Sequence, residues 1–123
     1  MITDARLMRG VAAFNAGGFF AAHEIWEALW LETVGPEKVP LQGLVQIAAG
    51  YAKIESGVRG GAIKLLSRGL DRVRHSEPNG LGLALKPFIE GVEADLDRVR
   101  ATAESALNLD VVHVPTLQTI VVP

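Results

Sequence analysis

The chain has 123 residues, which fits one domain with a modest core, and its 49% hydrophobic and 21% charged content is that of a folded chain, not a disordered one. A net charge of −2 gives no global attraction to nucleic acid or anionic lipid. The absence of cysteine excludes disulfides and thiolate chemistry and fits a cytoplasmic protein.

The opening MITDARLMRG is polar and charged, unlike a secretory signal. Thr3 and Asp4 start a first helix, with Thr3 expected as its N-cap and Leu7, Val11 and Phe14 as its apolar face. The stretch NAGG, Asn15 to Gly18, is a stop signal suited to left-handed geometry. A second helix is predicted from about Phe19 to Leu31, then a loop through Gly35 and Pro36. A third runs from near Pro40 to near Gly57, and a fourth from about Ala62 to His75. After a turn in SEPNGLG, a fifth covers about Leu85 to Leu107. The mostly apolar stretch LQGLVQIAAGYA is too short and too interrupted by glutamine to span a bilayer, so no membrane role is expected. The tail VVHVPTLQTIVVP is β-branched with two prolines and reads as an extended arm. The expected architecture is an all-α, single-domain bundle of about five helices over residues 1–110, with the arm at 111–123.

The second helix holds the first functional signal. On a helical wheel His23 and Glu27 are one turn apart, on the same side as Phe19, Phe20, Trp26 and Trp30, with Glu24 at the edge. The helix is expected to be well enclosed, and a buried carboxylate needs a donor, a proton or a metal. The third helix carries the second signal. Gln42, Gln46 and Lys53 share a stripe with Gly43, Gly50 and Gly57. Glycine inside a helix costs about 1 kcal/mol against alanine, so the stripe implies close approach, of a ligand in a polar cleft or of another backbone. The cleft is the reading slightly preferred.

Two blocks, FNAGGFFAAHEIWEALW and PLQGLVQIAAGYAKIESGVRGGAIKLLSRGL, resemble the family of unknown function DUF309. The matching positions are Phe14, Asn15, Gly17, Phe19, His23, Glu24, Glu27 and Trp30, then Gln42, Gly43, Gln46, Gly61, Ala62, Lys64 and Leu65. The resemblance spans about residues 11–73 and implies an all-helical fold, without an activity.

Three functional readings follow. His23, Glu24 and Glu27 are candidate ligands for a divalent metal, although the chain lacks the second histidine of a zinc-protease helix. His23 and Glu27 are alternatively an acid–base pair, with Gln42, Gln46 and Lys53 holding a polar ligand and Trp26 and Trp30 as walls. The third reading is a binding module. Residues 59–75 carry net +4 (five basic, one acidic) and residues 76–110 net −4 (three basic, seven acidic). No aromatics interleave the row Lys64, Arg68 and Arg72, so the two segments are expected to complement each other and nucleic acid is not the expected partner. The competing non-catalytic reading makes the whole cluster a buried packing network. The apolar residues of 111–122, with no earlier strand to pair with, are expected to form a homo-oligomer interface.

Overall fold

The structure, a computed structural model, describes residues 2–76 and 80–120. Five α-helices follow in order: α1 Ala5–Asn15, α2 Phe19–Glu32, α3 Lys38–Glu55, α4 Arg59–Arg74 and α5 Leu85–Arg100. Two short 3-10 turns, Glu104–Ala106 and Leu109–Val111, lead into the tail. The all-α bundle expected from the sequence is what the chain forms, and no described helix is long and apolar enough to cross a membrane.

Local chemistry sets the helix ends. Asp4, not Thr3, caps α1: its carboxylate accepts from Arg6 N at 2.8 Å and from the Arg6 side chain. The Arg6 guanidinium and its backbone N–H together hold the Asp4 carboxyl down at about 2. Gly17 ends the first hairpin at φ +84° and Gly57 the third helix at φ +73°, conformations open to glycine at little cost. α3 begins two residues before Pro40, which sits in the first turn, where no intrahelical donor is lost. Lys38 closes the preceding helix, donating from Nζ to the carbonyls of Trp30 and Thr33, each at 3.1 Å.

Two boundaries differ from the expected ones, and one interaction explains both. α4 starts at Arg59, not Ala62, because Glu104 accepts from Arg59 N at 3.2 Å and occupies the helix N-terminus. The Arg59 side chain in turn donates to Thr102 O (2.9 Å) and Arg100 O (2.7 Å), so α5 stops at Arg100 instead of running to Leu107.

The core is built around Phe14. Its ring lies 5.2 Å from Phe19, 5.6 Å from Phe88 and 5.7 Å from Tyr51 in edge-on arrangements, and 6.0 Å from Trp26. α1, α3, α4 and α5 add Leu7, Ile47, Leu66, Leu70 and Val92. α3 and α4 pack so closely that glycine is required on both. A Cβ on Gly43 would lie 2.7 Å from Gly69 O, and one on Gly69 would lie 2.7 Å from Gly43 O.

The tail is extended, as expected, but it has partners. Leu83 and Thr119 form an antiparallel bridge, Ala84 N donates to Gln118 O, and Ile120 N donates to Gly82 O. Asn15 grips Leu117 from both sides, donating to its carbonyl and accepting from its amide, each at 2.8 Å. Pro115 sits on Gly91 of α5, where a Cβ would come within 2.7 Å of the proline ring. Val112 and Leu117 are thereby buried against their own bundle. The expectation that no earlier segment pairs with the tail is therefore corrected: residues 82–84 do so. Val121 and Val122 lie outside the described residues, as does part of the turn expected before α5.

Candidate functional site

The two signals read from the sequence separate in space. α2 buries the stripe Phe19, Ala22, Trp26 and Leu29, one residue per turn, against the core. His23 and Glu27 fall on its flank instead. The expectation that its rings make this helix well enclosed is corrected: Glu24 is exposed, and Phe20 is 63% exposed. Four aromatics near one side of a wheel span too wide an arc to be buried together.

His23 Nε2 and Glu27 Oε2 are 3.0 Å apart, with side chains 24% and 46% exposed. The contact is the one the spacing predicts, in a setting open to water on one side. His23 Nδ1 is buried and has no hydrogen-bond partner. With Nε2–H donating to Glu27, that nitrogen carries an unused lone pair. The Phe20 ring lies 5.9 Å from the imidazole, tilted by 40°.

A cavity of about 380 Å³ opens between α2 and α3, lined by Phe20, His23, Ala49, Ala52, Lys53 and Ser56. The alanines form a shallow apolar floor, and Phe20 stands at the lip. Lys53 runs its stem over Gly61 of α4, with Cγ and Cδ each 3.5 Å from where a Cβ would be. Its ammonium group has no hydrogen bond or ion pair among the described residues. Of the expected lining, the structure brings His23 and Lys53 together here.

The remainder lies elsewhere. Gln42 and Gln46 face α4, where Arg72 donates to Gln42 Oε1 at 3.0 Å and to Gln46 Oε1 at 3.1 Å. Trp26 is no wall: it is fully buried, packs flat on Gly10 and donates from Nε1 to Leu7 O at 3.0 Å. Trp30 is half-buried under Lys38, whose Nζ is 4.6 Å from the ring centroid. The glycine stripe serves backbone approach: Gly43 meets Gly69 and Val73, Gly50 meets Leu66, and Gly57 ends the helix. The cleft preferred from the sequence gives way to helix packing. Among the described residues no three His, Asp or Glu side chains come together as metal ligands, so His23, Glu24 and Glu27 do not form the expected trio.

The buried carboxylate of this protein is a different one. Asp95, fully buried on α5, accepts from Tyr51 OH at 2.6 Å, Arg98 Nη1 at 2.7 Å and His113 N at 2.8 Å. Burial drives the Tyr51 hydroxyl far above its ordinary range, and the charge and hydrogen bond of Asp95 add to the shift. The three donors come from α3, α5 and the tail, which makes Asp95 a structural knot. Its signal in the sequence was an aspartate spaced with Phe88, Val92 and Val99 on the apolar face of α5.

Of the five basic residues in 59–75, three are engaged within the chain, while the side chains of Lys64 and Arg68 have no partner among the described residues. Arg59 caps α5, Arg72 holds the glutamines, and Arg74 pairs with Asp71 (3.3 Å) and with Glu93 of α5 (2.6 Å). The complementarity expected between basic α4 and acidic α5 is present at Arg74–Glu93.

The sequence profile of a domain of unknown function, DUF309, matches residues 7–65. Those residues belong to the DUF309 family. No curated protein matches the chain. The matched segment contains most of α1, all of α2 and α3 and the start of α4, so it carries both walls of the cavity, with His23 and Lys53, and Glu27 beside His23. Asp95 and the tail lie beyond it.

Proposed function

We propose that this DUF309 protein binds a small polar ligand in the groove between α2 and α3. The observation that carries the reading is the convergence of His23 and Lys53, from separate helices, on one cavity, where the Lys53 ammonium group has no partner among the described residues. Its volume, about 380 Å³, is in the range of small-molecule sites, and an apolar floor with a few polar groups is their usual make-up. The His23–Glu27 contact fixes the imidazole, as an orienting carboxylate does in acid–base sites. Ser56 adds a hydroxyl to the same wall. No reaction is assigned to the site.

Thermal denaturation with a panel of small carboxylates, phosphates and amines tests this reading. A ligand at ten times its Kd adds about 1.4 kcal/mol of stability, and the gain should disappear in Lys53→Gln and His23→Gln. No stabilisation by any panel member at millimolar concentration would overturn it.

A second reading, that this is a non-catalytic structural or interaction protein, is supported by one observation: Gln42 and Gln46, two of the six residues of the expected polar cluster, hold α4 on α3 through Arg72. On that reading Arg72→Ala loosens the α3–α4 pair while ligands leave the protein unaffected. Self-association through residues 111–122 remains a third expectation. It would require the tail to offer more than Val112 and Leu117, which its own bundle already covers. Light scattering on the full chain decides it.

A further inference from the structure

The charge that the groove presents follows from its lining. Phe20, Ala49 and Ala52 are apolar, His23 and Ser56 are polar, and Lys53 alone is a full charge; no carboxylate lines the groove among the described residues. Glu27 lies outside the lining, with its Oε2 against His23 Nε2. Lys53 is free for a reason that lies in the chain. A lysine near a helix C-terminus commonly serves the last carbonyls, as Lys38 does for α2. At the end of α3 the backbone does this instead. Gly57 N donates to Ile54 O at 3.0 Å and Val58 N to Lys53 O at 2.8 Å, in the turn that Gly57 makes at φ +73°. The Lys53 stem lies against Gly61 of α4, and its ammonium group is left without a partner among the described residues. The exposed Phe20 ring adds an apolar surface that the fold leaves uncovered.

Resting on the proposed binding role of this groove, we infer that its ligand is a small organic monoanion, a carboxylate carried on an apolar body about the size of one aromatic ring. The carboxylate pairs with Lys53, and the apolar body covers Phe20, Ala49 and Ala52. One unpartnered cation answers one negative charge. A dianionic phosphate would bring a second charge to an apolar floor with nothing to offset it. A cation would meet Lys53 with no acid in the described lining to compensate. Lys53 is exposed, so water competes for its ammonium group and the preference for an anion is modest. A cavity of about 380 Å³ has room for one such molecule.

Calorimetric titration of the full chain with 3-phenylpropionate, 3-phenylpropanol, 3-phenylpropylamine and phenethyl phosphate tests this assignment. The carboxylate should bind about two- to fivefold more tightly than the alcohol, the range open to an exposed ion pair, and more tightly than the amine or the phosphate. Lys53→Gln should bring the carboxylate down to the level of the alcohol, and Lys53→Arg should keep the preference. Lys64→Gln removes a cation that is equally exposed and unpartnered but lies outside the lining, and should change nothing. Far-ultraviolet circular dichroism checks that the variants fold, and the comparison of the four ligands on the unaltered chain stands without them. If the alcohol, the amine or the phosphate binds as tightly as the carboxylate, the monoanion is refuted while the groove stands as a ligand site. The same holds if Lys53→Gln keeps the preference, if Lys64→Gln removes it, or if only ligands of the wider panel bind. If nothing binds, both the monoanion and the groove fall.

Discussion

Replacing Asp95 by alanine removes an acceptor from three donors whose surroundings differ. Tyr51 is fully buried, so its hydroxyl loses the 2.6 Å bond with no water to replace it. A buried donor left unpaired costs about 1–3 kcal/mol. His113 N, in a residue with an exposed side, loses a 2.8 Å bond that water can partly restore, and contributes up to about 1 kcal/mol. The Arg98 side chain is 40% exposed and returns to solvent at little cost. Asp95→Ala should therefore destabilise by about 1–4 kcal/mol in urea denaturation. Tyr51→Phe in the same background removes the orphaned hydroxyl, so the double variant should be more stable than the sum of the single losses by about 1 kcal/mol or more. Strict additivity of the two substitutions, or a loss under about 1 kcal/mol for Asp95→Ala, would refute the account of Asp95 as the knot between α3, α5 and the tail.

Gly43→Ala forces a Cβ to within 2.7 Å of the Gly69 carbonyl, and should cost about 1–3 kcal/mol in denaturation, whereas Gly60→Ala, with open space around it on α4, should be neutral or stabilising by up to about 1 kcal/mol. Tyr51 is the only tyrosine, so tyrosinate absorbance reports it alone. Its folded-state value is raised, so the stability it contributes is intact below its unfolded value of about 10 and is lost as pH rises beyond that; the absorbance should appear together with loss of helical circular dichroism, not near pH 10 in a folded protein. Glu27→Ala should change stability by under about 0.5 kcal/mol, because its carboxylate is 46% exposed; a loss of 2 kcal/mol or so would show a structural role for the pair instead.

The helices were legible because glycine and proline punctuate this chain, and because Leu7, Val11 and Phe14 repeat with helical period. The ends of α4 and α5 were not, since Arg59 and Glu104 set them by reaching across the fold, and no local rule contains that contact. The His23–Glu27 contact was legible for the opposite reason: it lies within one helix. Gln42 and Gln46 show where wheel reasoning stops. The wheel places them on one face with Lys53, but which neighbour covers each part of that face depends on the crossing of α3 with α4 and α2. The result gives the glutamines to Arg72 and Lys53 to the cavity. Glycines at seven-residue spacing announce close approach, and Gly69 on α4 was the partner to look for. The tail was misjudged because its partner, residues 82–84, is too short to show a strand pattern.

The α2–α3 groove is proposed as a ligand site of this protein. Backbone amide NMR with the panel of small carboxylates, phosphates and amines titrated into the full chain tests it most directly. Shifts are expected at Phe20, His23, Ala49, Ala52, Lys53 and Ser56, saturating together and absent in Lys53→Gln. Changes centred on another face of the bundle, or a spectrum that does not move with any panel member at millimolar concentration, would contradict it.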